Sequence, residues 1–211
     1  ALLAAAGASA APDSCWRHCC DLIETVSRRG AYLSLLDEYP IARMRVTRML
    51  AASPWAANFL IKHPLLLDEL LDSRTLLSPP NLDEWKQQLR DLLDHAKLPD
   101  GQPDLERQMD LIREQHHAQL FRVLTQDLEN LLTVEHVSDL LSELADCTLE
   151  VILERAWDQL PKRHRAQPRF AVVAYGKHGG KELGYSSDLD LIFLFEDDDD
   201  RAPDLYAQLA N

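Results

Sequence analysis

Residues 170–196 read FAVVAYGKHGGKELGYSSDLDLIFLFE, and the fold turns on how this stretch is read. Its first seven residues, 170–176, form an unbroken β-branched and aromatic run of strand length that ends at a glycine, the signature of a buried strand. KHGGKELGYSS then supplies Gly179, Gly180 and Gly184 and the adjacent Ser186 and Ser187. A second apolar run, DLDLIFLFE, opens on acidic residues, so the spacing predicts a hairpin. Period-two alternation puts Asp188, Asp190, Ile192 and Leu194 on one face of the second strand, with Leu189, Leu191, Phe193 and Phe195 on the other.

Two carboxylates on one face, about 6.6–7 Å apart along a strand, can converge on one Mg2+ or straddle a pair of ions. Like charges side by side at the start of an apolar strand are unfavourable unless a cation compensates them. The bland alternative is that both aspartates sit at the exposed strand end and cap the hairpin. Context separates the two, because a glycine-rich turn lets backbone approach a triphosphate beside the carboxylates, as nucleotidyl transfer requires. A P-loop is excluded: from Gly176 to Lys181 the G-x-x-x-x-G-K-[ST] pattern is one residue short, and Glu182 replaces its hydroxyl. The acidic run at 196–200 reads as a solvated loop.

Upstream the period changes. From about residue 13 to 160 apolar residues recur at three and four, with Pro or Gly at the breaks, which predicts helices. The expected helices are 14–28, a short one ending at Pro40, two more broken at Pro54 and Pro64, then 82–96, 104–132 with Asp104 as N-cap, and 137–160. In HPLLLDELLD, Leu66, Leu67, Leu70 and Leu71 share one face. SRTLLSPPN reads as a loop and KLPDGQPD as a hinge. In the long helix the inward stripe is Leu105, Met109, Ile112, His116, Leu120, Val123 and Leu124. In the last it is Leu140, Leu141, Leu144, Cys147, Val151 and Ile152. PKRHRAQPR is the one cationic cluster. The expected class is therefore α+β, a helical region over 1–160 followed by the start of a nucleotidyltransferase core over 161–211.

Composition narrows the function. A formal charge of -13 over 211 residues and a pI near 4.9 argue against nucleic acid as a partner, since that affinity rests on Lys and Arg neutralising phosphates. Charges interrupt every leucine-rich run, so no membrane span is expected, and the cytoplasm is the default compartment. Cys15, Cys19, Cys20 and Cys147, even with His18, fit no standard zinc spacing, and core packing is the expectation for Cys15 and Cys19, one helical turn apart. The adjacent His116 and His117 point about 100° apart on a helix and do not suit one metal. The alanine-rich opening resembles the tail of a signal peptide but has no basic region, and the sequence reads as a piece of something longer.

The quoted hairpin, together with RRGAYLSLLDEYP and ASPWAANFLIKHPLLLDELLD, resembles the glutamine synthetase adenylyltransferase family, bifunctional enzymes that add and remove AMP within the polymerase β-like superfamily. The resemblance covers about residues 28 to 196 and is to the second of the family's two cores, the one that adds AMP to a tyrosine of glutamine synthetase; the first removes it by phosphorolysis. It implies that Asp188 and Asp190 hold Mg2+, with ATP as substrate and Ser186 and Ser187 lining the nucleotide. Ser187 equally suits a role in shaping the turn. Lys177 and Lys181 suit either phosphate contact or plain surface charge. The family's glycine pair lies about ten residues before D-x-D: Gly176 with Lys177 fits that spacing, whereas Gly179 with Gly180 lies closer, and both stand open. The resemblance further implies glutamine synthetase and the PII signalling protein as partners, and a third carboxylate beyond Asn211, so that this piece is inactive alone. Other readings are the adenylyl-removing core, a nucleotidyltransferase with another acceptor, and a non-catalytic interaction module.

Overall fold

The computed structural model describes residues 1–9 and 11–210. The first elements are α1 (Leu2–Gly7), α2 (Pro12–Val26), α3 (Gly30–Glu38), α4 (Pro40–Ala52), α5 (Pro54–Lys62), a 3-10 helix (Pro64–Leu71) and α6 (Ser73–Leu77). The long helices α7 (Leu82–His95), α8 (Leu105–Leu128) and α9 (Val134–Gln159) follow. Last come β1 (Phe170–Tyr175), α10 (Gly176–Gly179), β2 (Asp190–Phe195) and α11 (Ala202–Leu209). The class is α+β, as the sequence led us to expect. Two compact units result, residues 1–80 with 117–133 and residues 81–116 with 134–211, and α8 contributes to both.

In the first unit, prolines start helices rather than merely ending them: Pro12, Pro40, Pro54 and Pro64 all occupy a first helical turn, where no N–H partner is missed. Cys15 and Cys19 are fully buried beside Leu22 and Val26 on the inner face of α2, so their spacing serves packing; Cys20 is exposed. Burial, reinforced by neighbouring Cys15, pushes the Cys19 thiol up to about 12. Two sequence expectations fail here. Leu66, Leu67 and Leu70 are buried but Leu71 is 56% exposed, because three residues per turn, not 3.6, carries it off the inner face. SRTLLSPPN is not all loop: the Asp72 carboxylate accepts from the Arg74 and Thr75 backbone N–H groups and caps α6, which buries Leu76. Gln126 of α8 donates to the carbonyls of Leu76 and Ser78, both at 3.0 Å. His117 packs its ring against His63, centroids 4.0 Å apart.

In the second unit, α7 and α9 are laced by Lys86–Glu150 (2.7 Å), Arg90–Glu150 (2.9 Å) and Arg90–Glu154 (2.7 Å). Asp104 caps α8 by accepting from the Arg107 N–H, as expected. Along α8 the expected stripe holds for Leu120, Val123 and Leu124, which belong to the first unit. At the start of the helix it fails, for Leu105 and Met109 are exposed while Gln108 and Leu111 turn inward. Gln108 is a poor hydrophobe but satisfies its amide with the Leu93 carbonyl (3.0 Å) and the Gln159 side chain (2.8 Å), so a periodicity count could not find it. Ile152 likewise faces solvent, 39% exposed, while the rest of its stripe is buried or half-buried. His116 lies 3.1 Å from the Thr148 hydroxyl through Nδ1.

The β1–β2 sheet is a two-stranded antiparallel hairpin in the register Phe170↔Phe195 through Tyr175↔Asp190. A lone hairpin is marginal in water, and this one rests on helix. Tyr206 of α11 stacks on Trp157 of α9 (5.5 Å), on Phe170 (5.7 Å) and against Phe195 (4.9 Å). Ala202, Leu209 and Leu153 fill in around them.

Candidate functional site

The register fixes where the acidic residues fall. Asp190 opens β2 opposite Tyr175 and shares its face with Ile192 and Leu194, while Leu191, Phe193 and Phe195 take the other, as period two requires. Asp188 does not belong to the strand: it lies two residues ahead of it, exposed, in the connection from the turn. The strand begins later than the sequence suggested because the paired ladder ends at Tyr175, where the chain turns into α10. Asp190 is half-buried. Among the described residues, neither Asp188 nor Asp190 pairs with a Lys or Arg.

The connection that faces Asp190 is a single helical turn. Gly176 has φ +59°, a conformation glycine adopts without penalty. A Cβ there would overlap the Asp190 Oδ2 and stand 3.3 Å from its Cγ, so the carboxylate occupies the space a side chain would need. Gly179 serves a different neighbour, since a Cβ on it would meet the Ala174 carbonyl oxygen at 2.7 Å. Its bareness lets the turn lie flush on β1. Gly180 donates to the Gly176 carbonyl (3.0 Å), and Lys181 continues with φ +54°. Lys177 and Lys181 are both exposed. The Ser187 hydroxyl accepts from the Gly184 N–H (2.9 Å) while the Ser187 N–H donates to the Gly184 carbonyl (3.0 Å), so this serine shapes the turn before Asp188. Ser186 is exposed beside it.

Two features escaped the sequence reading. His178, inside the glycine-rich turn, is 4% exposed, and its Nε2 lies 2.9 Å from the Asp146 carboxylate of α9. Nothing in GKHGG marked that histidine as the inward-facing one. The second corrects the reading of 196–200 as a solvated loop. The Asp197 side chain is fully buried. It accepts from the Tyr206 hydroxyl (2.7 Å), Arg165 (2.7 Å) and the Asp199 N–H (3.2 Å), with His164 Nε2 at 2.7 Å. Burial opposes its ionisation, but the contacts from His164, Tyr206 and Asp199 and the charge of Arg165 outweigh it and hold its pKa at about 2. The cationic loop thus clamps the chain leaving β2, and a basic cluster followed some thirty residues later by an acidic run was the available clue.

Against this geometry stand the comparisons. The family described as glutamate-ammonia ligase adenylyltransferase matches residues 43–210. The chain is 55% identical over 205 residues, 97% of its length, to the bifunctional glutamine synthetase adenylyltransferase/adenylyl-removing enzyme of Aromatoleum aromaticum. It is 54% identical, over 99% of its length, to the protein of that name from Bordetella bronchiseptica, and 55% identical, over its whole length, to that from Burkholderia pseudomallei. In each case it spans about a fifth of the relative, 21–22%. The chain belongs to the glutamate-ammonia ligase adenylyltransferase family. No described helix is long and apolar enough to cross a membrane.

Proposed function

We propose that this chain carries part of the nucleotide site of a cytoplasmic, Mg2+-dependent enzyme that transfers AMP from ATP to a tyrosine of glutamine synthetase, under control of the PII signalling protein. The observation that carries the reading is Gly176: a left-handed glycine whose missing side chain is replaced by the Asp190 carboxylate, itself free of any Lys or Arg partner among the described residues. An uncompensated carboxylate beside backbone that carries no side chain would hold a cation and leave room for a phosphate.

The donor set fits magnesium in part. Mg2+ is usually held by one or two carboxylates with water and substrate phosphates completing the shell, and Asp188 and Asp190 supply two hard oxygen donors; no third acidic, His or Cys side chain joins them among the described residues. Bound there, Mg2+ would neutralise the triphosphate and favour the deprotonated acceptor hydroxyl. A third carboxylate would come from elsewhere in the full-length protein. Asp190 is held by the β2 ladder and Asp188 by the Ser187–Gly184 turn, which orients the pair before any ligand arrives. Gly176 gives closest approach to the carboxylate, and this favours Gly176 with Lys177 over Gly179 with Gly180 as the phosphate-facing pair; Gly179 and Gly180 support it. Ser186, exposed, is free to reach the nucleotide, whereas Ser187 is engaged in the turn.

The relatives' name covers removal as well as addition of AMP, so the same carboxylates could serve phosphorolysis instead. Transfer of labelled AMP from ATP to glutamine synthetase by the full-length protein, measured with and without Mg2+ and in Asp188→Asn and Asp190→Asn, tests the proposal. Mg2+-dependent incorporation lost in both variants supports it. Normal incorporation by both rejects it. Loss only of phosphate-dependent AMP release assigns the site to the removing reaction.

A further inference from the structure

The turn Gly176–Gly179 is one helical turn long, too short to hold itself. Glycine 179 and glycine 180 offer no side chains, Lys177 is exposed, and only His178 reaches inward. Its Nε2 meets the Asp146 Oδ1 at 2.9 Å, and its Nδ1 is buried without a partner among the described residues. Filling the space would be served as well by a leucine, which leaves no orphaned nitrogen. The imidazole therefore brings one thing an apolar side chain lacks, a directed hydrogen bond to α9. That helix is a firm anchor, laced to α7 through Glu150 and Glu154, one and about two turns beyond Asp146.

The geometry points to His178 as a positioning residue that, by donating Nε2–H to Asp146, sets the depth at which the glycine-rich turn meets Asp190 and the ATP phosphates. It touches neither the carboxylate nor the nucleotide; it acts through Gly176, two residues away. The Gly179 contact fixes the turn against β1, and His178 fixes it against α9, so the two together leave the turn one resting position. This inference rests on the nucleotide site proposed above.

The test is the KM for ATP in AMP transfer by the full-length protein, in His178→Leu, Asp146→Ala, the double variant and His178→Gln, whose amide can donate where Nε2 does. Loss of the hydrogen bond is expected to raise KM for ATP about 10-fold in each single variant with a smaller change in kcat. The double variant should be no worse than the worse single, and His178→Gln should return to within about threefold of the parent. The Asp146 side chain is 65% exposed, so Asp146→Ala keeps the test open should the buried His178→Leu fail to fold. Unchanged KM in Asp146→Ala, strictly additive effects in the double variant, or His178→Gln no better than His178→Leu would each overturn the positioning role. Asp190→Asn run alongside separates the two ideas. If it abolishes transfer while KM in Asp146→Ala stays put, only the positioning role falls; if it transfers AMP normally, the nucleotide site itself falls.

Discussion

Replacing Gly176 with alanine tests the site at its tightest point. The residue holds φ +59°, where a β-carbon costs roughly 1–2 kcal/mol of backbone strain. The added Cβ would also overlap the Asp190 carboxylate, whose oxygen must retreat about 1 Å to regain an ordinary van der Waals separation. Asp190 is half-buried at the less exposed end of β2, and its carboxylate can rotate about its own side-chain bonds while the ladder holds its backbone, so the strain remains the larger stability term. Displacing a reacting group by about 1 Å, however, can cost on the order of 10²-fold in rate. Gly176→Ala should therefore lower AMP transfer about a hundredfold while destabilising the fold by only about 1–2 kcal/mol. Gly30→Ala is the control: Gly30 lies at the start of α3 with nothing within 4 Å of a built Cβ, and its replacement should leave transfer unchanged and stability equal or slightly higher. The assay is initial-rate transfer of labelled AMP by the full-length protein, paired with thermal unfolding. Activity within threefold of the parent in Gly176→Ala would refute the reasoning.

Three further outcomes follow from particular contacts. Asp197 has its pKa depressed from 3.8 to about 2, so its contribution to stability is fully present above pH ~4 and is lost as pH falls from there through 2; Asp197→Asn should flatten the acid limb of unfolding in that window. An acid limb of unchanged steepness would count against the buried network. Peptide-level alkylation of the native protein should modify Cys20 quickly and Cys15, Cys19 and Cys147 only after denaturation, since the last three are buried; rapid labelling of Cys19 would contradict the packing of α2. Gln126→Leu strands the Leu76 and Ser78 carbonyls and should cost about 1–3 kcal/mol in denaturant unfolding, whereas a change below about 0.3 kcal/mol would show those bonds to be replaceable by water.

Much of the architecture could be read from periodicity, because burial of one face leaves its mark at 3.6 or at 2. The long helices, the two strands and the shared face of Asp190, Ile192 and Leu194 were legible on that ground. Reading failed where polar groups do the work of hydrophobes or where local geometry departs from the α period. Gln108 and Asp197 are buried by satisfied hydrogen bonds, which no hydropathy pattern registers. Leu71 was misplaced by a 3-10 segment, and periodicity assigned no helix to residues 202–209 although Tyr206 and Leu209 pack beneath the hairpin. At the candidate site the acidic residues and the glycines were visible as types. Their division of labour was not, since only coordinates distinguish a glycine bare for Asp190 from one bare for the Ala174 carbonyl, and only they turn His178 inward.

Binding of Mn2+, a paramagnetic stand-in for Mg2+, in the presence of a non-hydrolysable ATP analogue probes the carboxylate pair most directly. Electron paramagnetic resonance counts the ions held by the full-length protein and by its Asp188→Asn/Asp190→Asn variant. The account requires the variant to bind at least one fewer Mn2+ per chain at unchanged folded content. Equal stoichiometry and affinity in the two proteins would contradict it.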